Sequence, residues 1–190
     1  MKNKGVFSIC PTPFKAGGEL DLQSLVSLVN FQLEAGIHGL AILGVMGELH
    51  KLSTFERRRV IETVVAAVRG AVPVWVGVRA LGTAAAVEQA RSAEDLGADA
   101  IFVAPLAGAD DEMQVSYYRQ IVQAIRIPVV IHDFPELFAA RISPADQART
   151  AKCSSRSPPT RTPASTGTMQ NKVKGRNSSR WISSSGTRYR

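Results

Sequence analysis

Five short β-branched runs recur along this chain: Val6 to Cys10, Gly39 to Gly44, Pro73 to Val78, Asp99 to Ala104 and Pro128 to His132. They start roughly every 30 residues, the length of one βα unit. Apolar residues between them repeat at helical spacing, and this alternation predicts a parallel sheet with helices packed on it. The runs are apolar throughout, as for strands buried on both faces.

The helix signals are local. Asp21 is placed to cap a helix whose Leu22, Leu25, Val26, Val29 and Leu33 share one face, and Gly36 supplies a left-handed stop. Ser53-Thr54-Phe55-Glu56 reads as a capping box ahead of the stripe Val60, Ile61, Val64, Val65 and Val68. Thr83 opens an alanine-rich third helix that ends at Gly97. Asp110, Asp111 and Glu112 stand where acids complement a helix dipole, and Ser143-Pro144 looks like the start of a fifth helix. Two architectures satisfy this order: an open doubly wound sheet, or the first five units of a (β/α)8 barrel. A glycine-rich dinucleotide fingerprint after the first strand would favour the open sheet, but Cys10-Pro11-Thr12-Pro13-Phe14 stands there.

Composition matters at Thr150. All 16 acidic residues lie at or before Asp146, whereas the last forty positions carry only basic charge among Ser, Thr, Pro and Gly. The net charge of +7 therefore belongs to the tail, and residues 1–150 are slightly acidic. This divides the chain into a partial barrel, residues 1–150, and a low-complexity basic tail, residues 151–190. Few apolar residues occur in the tail, and disorder is its expected state. Lacking repeats or aromatic interleaving, it reads better as an accidental reading frame than as a nucleic-acid-binding tail. Cys153-Ser154-Ser155-Arg156 can be encoded TGC-TCA-TCA-AGG, which shifted to its third base reads Leu-Ile-Lys. No secretion signal is evident before Pro11 and Pro13, no apolar stretch reaches the roughly 20 residues of a membrane span, and Cys10 and Cys153 have neither metal-ligand nor framework spacing. A cytoplasmic protein without membrane attachment or specific nucleic-acid partner is expected.

Several motifs resemble one family in the right order. They are Thr12-Pro13-Phe14 after the first strand, Gly44-Val45-Met46-Gly47-Glu48 after the second followed by Leu52-Ser53 and Glu56-Arg57, Pro73-Val74 leading to Gly77, Gly97-Ala98-Asp99-Ala100 into the fourth, and Pro128-Val129 into the fifth. Together they are similar to the dihydrodipicolinate synthase and N-acetylneuraminate lyase family, the Schiff-base aldolases built on (β/α)8 barrels. The resemblance implies an α/β fold of TIM-barrel type, here about five βα units. It also implies carbon–carbon lyase or synthase action on a small 2-oxo acid, neither metal nor separate cofactor, and a homo-oligomer. A lysine amine would condense with the 2-oxo acid and the protonated imine would act as electron sink. Gly44, Val45, Met46 and Gly47 would hold the substrate carboxylate, and His132 would occupy the place of a proton-relaying tyrosine.

The chain departs from that pattern at most functional positions. Val45 and Met46 replace two hydroxyl residues, although the loop's backbone N–H groups could still cradle a carboxylate. Pro105-Leu106-Ala107 lacks a tyrosine found in the family, and Leu137 stands in place of an arginine. The imine lysine should come one βα unit after His132, where the chain reads Ser157-Pro158-Pro159-Thr160-Arg161-Thr162; Lys152, the nearest lysine, lacks a buried strand to lower its pKa. The chain is therefore expected to be inactive. The rival reading is a non-catalytic half-barrel interaction protein whose basic tail binds polyanions.

Simple structural roles compete with functional ones at single residues. His132 is either an acid–base group at the carboxyl end of a strand or a mouth histidine bonded to the loop. Asp133 either orients it or begins the next loop. Glu48 reads as a structural acceptor for nearby backbone N–H groups rather than a catalytic carboxylate, and Arg57-Arg58-Arg59 as a solvated helix face.

Overall fold

The computed structural model describes residues 4–134 together with Phe138, Ser143, Ala145, Asp146, Ala148 and Arg149. The basic tail, Lys152 and Leu137 lie outside the described residues. Strands β1 (Phe7–Ile9), β2 (Gly39–Ile42), β3 (Val74–Val78), β4 (Ala100–Val103) and β5 (Val129–Ile131) alternate with helices α1 (Leu22–Glu34), α2 (Thr54–Val68), α3 (Thr83–Asp95) and α4 (Asp111–Ala124). All neighbouring strands are parallel and the order is β1-β2-β3-β4-β5. A doubly wound sheet reverses its order at a switch point, so the unbroken sequence is that of a (β/α)8 barrel.

Helix starts follow the capping chemistry of the sequence. The Asp21 carboxylate accepts from Ser24 N–H at 3.0 Å, and Ser53 and Glu56 form the reciprocal capping box. Asp110 is itself the cap of α4, accepting from Met113 N–H at 2.8 Å, which leaves Asp111 and Glu112 to complement the dipole. The Ser143 hydroxyl accepts from Asp146 N–H at 3.1 Å, the bond expected of a fifth helix start.

Alternate residues of each strand face opposite sides. Leu40 and Ile42, Val74, Val76 and Val78, and Ile101 and Val103 pack against the helices, joining Val60, Ile61, Val64 and Val68 of α2 in one buried cluster. Each such side chain contributes about 1.5–3 kcal/mol relative to exposure. The other set forms the barrel's inner side, where Phe7 and Trp75 stack at 4.2 Å. At the amino ends of the strands, Asp99 ties β4 to β3: its carboxylate accepts from Val74 N–H at 2.8 Å and its own N–H donates to Val74 O at 2.9 Å. That bond explains the Asp in Gly97-Ala98-Asp99-Ala100 as a structural residue.

Candidate functional site

The carboxyl ends of β2 to β5 converge on one small cavity. The chain leaves β2 through Leu43, a non-glycine residue at φ 55°, and returns to regular structure through Glu48 at φ 53°. Left-handed conformations cost such residues about 1–2 kcal/mol each, so the surrounding contacts must hold the loop in place. Two of those contacts are visible. The buried Thr12 hydroxyl donates to the Gly47 carbonyl at 2.7 Å, which gives Thr12-Pro13-Phe14 its structural role. The Leu43 carbonyl lies directly over Gly77, where a Cβ would fall 2.0 Å from its oxygen.

Between the two strained residues, Gly44, Val45, Met46 and Gly47 form a tight turn closed by Glu48 N–H donating to Val45 O at 3.1 Å. Among the described residues, the N–H groups of Gly44 to Gly47 are given to no carbonyl or side chain. Successive free amides on a glycine-bounded turn suit a negatively charged oxygen. Gly47 keeps the turn compact, since a Cβ there would stand 2.8 Å from Leu43 N and 3.1 Å from Gly44 N.

The cavity encloses about 20 Å³ and is lined by Leu43, Gly44, Val45, Leu49, His50, Gly77, Val78, Arg79, Phe102, Ala104, His132 and Phe138. Gly44, Val45 and His132 thus meet in one place. Met46 and Gly47 do not join them, and Met46 is 63% exposed. His132 continues β5 by donating its backbone N–H to Val103 O at 2.9 Å. Its ring sits edge-on between Phe102, at 5.3 Å, and Phe138, at 5.2 Å. Burial beside these rings lowers its pKa from 6.5, so the imidazole is neutral at neutral pH. No described residue hydrogen-bonds its ring nitrogens, which leaves one donor and one acceptor for a ligand.

Other sequence candidates are placed elsewhere. Asp133 is exposed and makes no hydrogen bond to His132 among the described residues. The Glu48 carboxylate pairs with Lys51 at 3.0 Å on the surface rather than accepting from backbone N–H groups. Arg57 donates to Thr54 Oγ1 at 2.9 Å and Arg59 lies over the Phe55 ring, both within α2, whereas Arg58 reaches across to donate to Ser92 Oγ of α3 at 3.2 Å. Tyr118 donates to Val103 O at 3.0 Å, and burial pushes the Tyr117 hydroxyl up to about 12; neither ring lines the cavity. Buried Cys10, also raised to about 11 by burial, stands apart from the cavity beside Gln32.

Arg79 was not singled out by motif. It follows β3 directly, its backbone N–H donates to Gln89 Oε1 at 3.2 Å, and its guanidinium lies 5.0 Å above the Phe138 ring. A lone cation just past an apolar strand at the carboxyl end of a barrel was the available signal. Among the described residues no group of three or more His, Cys, Asp or Glu could hold a metal ion, and no helix is long and apolar enough to cross a membrane.

Comparison with known proteins agrees with this geometry. The sequence model of the Dihydrodipicolinate synthetase family matches residues 2–157. The 4-hydroxy-tetrahydrodipicolinate synthase of Phenylobacterium zucineum is 36% identical over 142 residues, covering 74% of this chain and 48% of that protein. That of Desulfotalea psychrophila is 35% identical over 152 residues, covering 79% and 51%. The chain thus spans about half the length of the curated relatives it matches. Among solved structures, the chloride-inhibited dihydrodipicolinate synthase of Acinetobacter baumannii complexed with pyruvate superposes with a TM-score of 0.76 at 27% identity, covering 78% of this chain and 52% of that one. The dihydrodipicolinate synthase of Aquifex aeolicus gives 0.75 at 27%, covering 78% and 51%. A five-strand sequential barrel sheet, a strained Gly-x-x-Gly-Glu turn at its carboxyl edge and a match across residues 2–157 lead to one conclusion: this chain belongs to the dihydrodipicolinate synthetase family.

Proposed function

We propose that residues 1–150 form the carboxylate-binding part of a carbon–carbon lyase or synthase site for a small 2-oxo acid, and that this chain binds such an acid without forming the imine that turnover requires. The run of undonated amides from Gly44 to Gly47, whose Gly44 and Val45 end lines one cavity with neutral His132, is the observation behind the reading. The amides supply charge-assisted donors for the carboxylate. His132 is the group able to accept or return a proton at the neighbouring carbonyl. Pyruvate bound to the Acinetobacter baumannii relative supports the choice of ligand class. In the lyase chemistry that the family resemblance implies, an imine rather than a metal would serve as the electron sink.

The imine is where this chain falls short. Val45 and Met46 offer no hydroxyl to pass a proton, and the stretch one βα unit beyond His132 has no lysine. β1 and β5 each have one strand neighbour among the described residues, and exposed edges of this kind favour a family-like homo-oligomer. Among the described residues nothing favours the polyanion-binding alternative, since Arg57 to Arg59 each have a partner on α2 or α3. The test is to incubate the protein with pyruvate, reduce with borohydride and measure its intact mass. An unchanged mass is expected, whereas a stoichiometric adduct on Lys152 would overturn the inactive reading.

A further inference from the structure

The cavity wall is electrically one-sided. His50, Arg79 and His132 line it, and among the described residues no acidic side chain does. Burial keeps His132 neutral, so the fixed positive charge comes from Arg79. No carboxylate of the described residues lies within ion-pair distance of Arg79. Its guanidinium nevertheless has a defined place, stacked on Phe138, with the backbone held by Gln89. An arginine oriented on an aromatic face and lacking an acidic partner keeps its fork of donors for an external anion.

Its position relative to the amide turn identifies that anion. The enclosed space of about 20 Å³ holds little more than one water-sized group. A carboxylate on the Gly44 and Val45 amides therefore fills it end-on and leaves the rest of the ligand at the mouth. Arg79 is exposed at that mouth. The guanidinium and the His132 ring each lie about 5 Å from Phe138, on the same side of the site as the carboxyl ends of β3 and β5. We infer that Arg79 recognises a second carboxylate, and that the site selects dicarboxylic 2-oxo acids over pyruvate. This inference rests on the proposed function for the first carboxylate, while the second contact is independent of it.

Isothermal titration of the full chain with pyruvate, 2-oxoglutarate and glutarate, for wild type, Arg79→Gln and Arg79→Lys, separates the two. Wild type is expected to bind 2-oxoglutarate roughly ten- to hundredfold more tightly than pyruvate, the range for a hydrogen-bonded charge. Arg79→Gln should erase that preference by weakening 2-oxoglutarate far more than pyruvate, and Arg79→Lys should restore part of it. If pyruvate fails to bind while 2-oxoglutarate and glutarate still weaken on Arg79→Gln, the amide reading fails and the Arg79 reading stands. The Arg79 inference is overturned if wild type shows no preference, if Arg79→Gln weakens all three ligands equally, or if no binding depends on Arg79. The Arg79 side chain is exposed, so both substitutions leave the fold intact, and equal melting temperatures of the three proteins check it.

Discussion

Replacing Gly77 with alanine tests whether the shape of the site depends on the passage of β3 beneath the turn. The added Cβ would stand 2.0 Å from the Leu43 oxygen, 2.7 Å from its carbonyl carbon and 3.1 Å from Phe102 Cζ. Relief requires more than about 1 Å of separation, against backbone rather than a flexible side-chain end. Leu43 cannot yield cheaply, because it is fully buried and already left-handed. Overpacking of this kind costs about 1–3 kcal/mol, and the strained neighbour places Gly77→Ala near the upper end. Alanine regains about 0.5–1 kcal/mol of backbone entropy in a strand, leaving a net loss of about 2 kcal/mol. For a domain of this size that lowers the melting temperature by about 8 °C. Thermal unfolding followed by circular dichroism is the assay, with Gly82→Ala as control, since a Cβ there meets nothing within 4 Å. A Gly77→Ala protein melting within about 2 °C of wild type would show that the turn does not press on β3 as described.

Three further outcomes are expected. Burial holds the His132 pKa below 6.5, so the unfolded chain binds more protons than the folded one; this contribution to stability is complete above about pH 6.5 and is lost as pH falls toward the folded value. His132→Phe should flatten the corresponding slope in urea-unfolding free energy between pH 7 and 5, and an unchanged slope would assign it to other groups. Ser53→Ala, which removes the side-chain half of the α2 capping box and leaves the backbone N–H donating to Glu56, should destabilise by about 1 kcal/mol in urea unfolding; no change would mean that the cap is replaced by water. Sequencing the locus should find a shifted frame that runs open beyond Thr150 through further barrel units, and stops in both alternative frames near Ser155 would refute the frame-shift reading of the basic tail.

The strands and caps were legible because their causes are local. β-Branched runs and the Ser53–Glu56 pair specify themselves within a few residues, and strand ends differed from expectation by only a residue or two. Periodicity left the choice between barrel and doubly wound sheet open, since strand order depends on long-range pairing that it does not encode; the motif resemblance pointed to the barrel, and the sequential strand order agrees with it. The site followed the same division. Gly44 and Gly47 announced a tight turn, but its strain resides in Leu43 and Glu48, residue types that give no sign of positive φ. Gln32 of α1, polar and not one of the apolar stripe residues, is buried at 8% exposure. Arg79 became significant only when the fold brought it beside Phe138 and His132.

Whether the Gly44–Gly47 turn binds a carboxylate without an imine can be observed in one sample. Backbone amide spectra of the 15N-labelled chain, titrated with pyruvate carrying 13C at its carbonyl, report both events together. The amides of Gly44 to Gly47 should shift saturably while the labelled carbon remains a ketone, and Gly47→Ala, whose Cβ would crowd Gly44 N at 3.1 Å, should abolish the shifts. Unmoved loop amides, or a labelled carbon that becomes an imine attached to a lysine, would contradict the proposal.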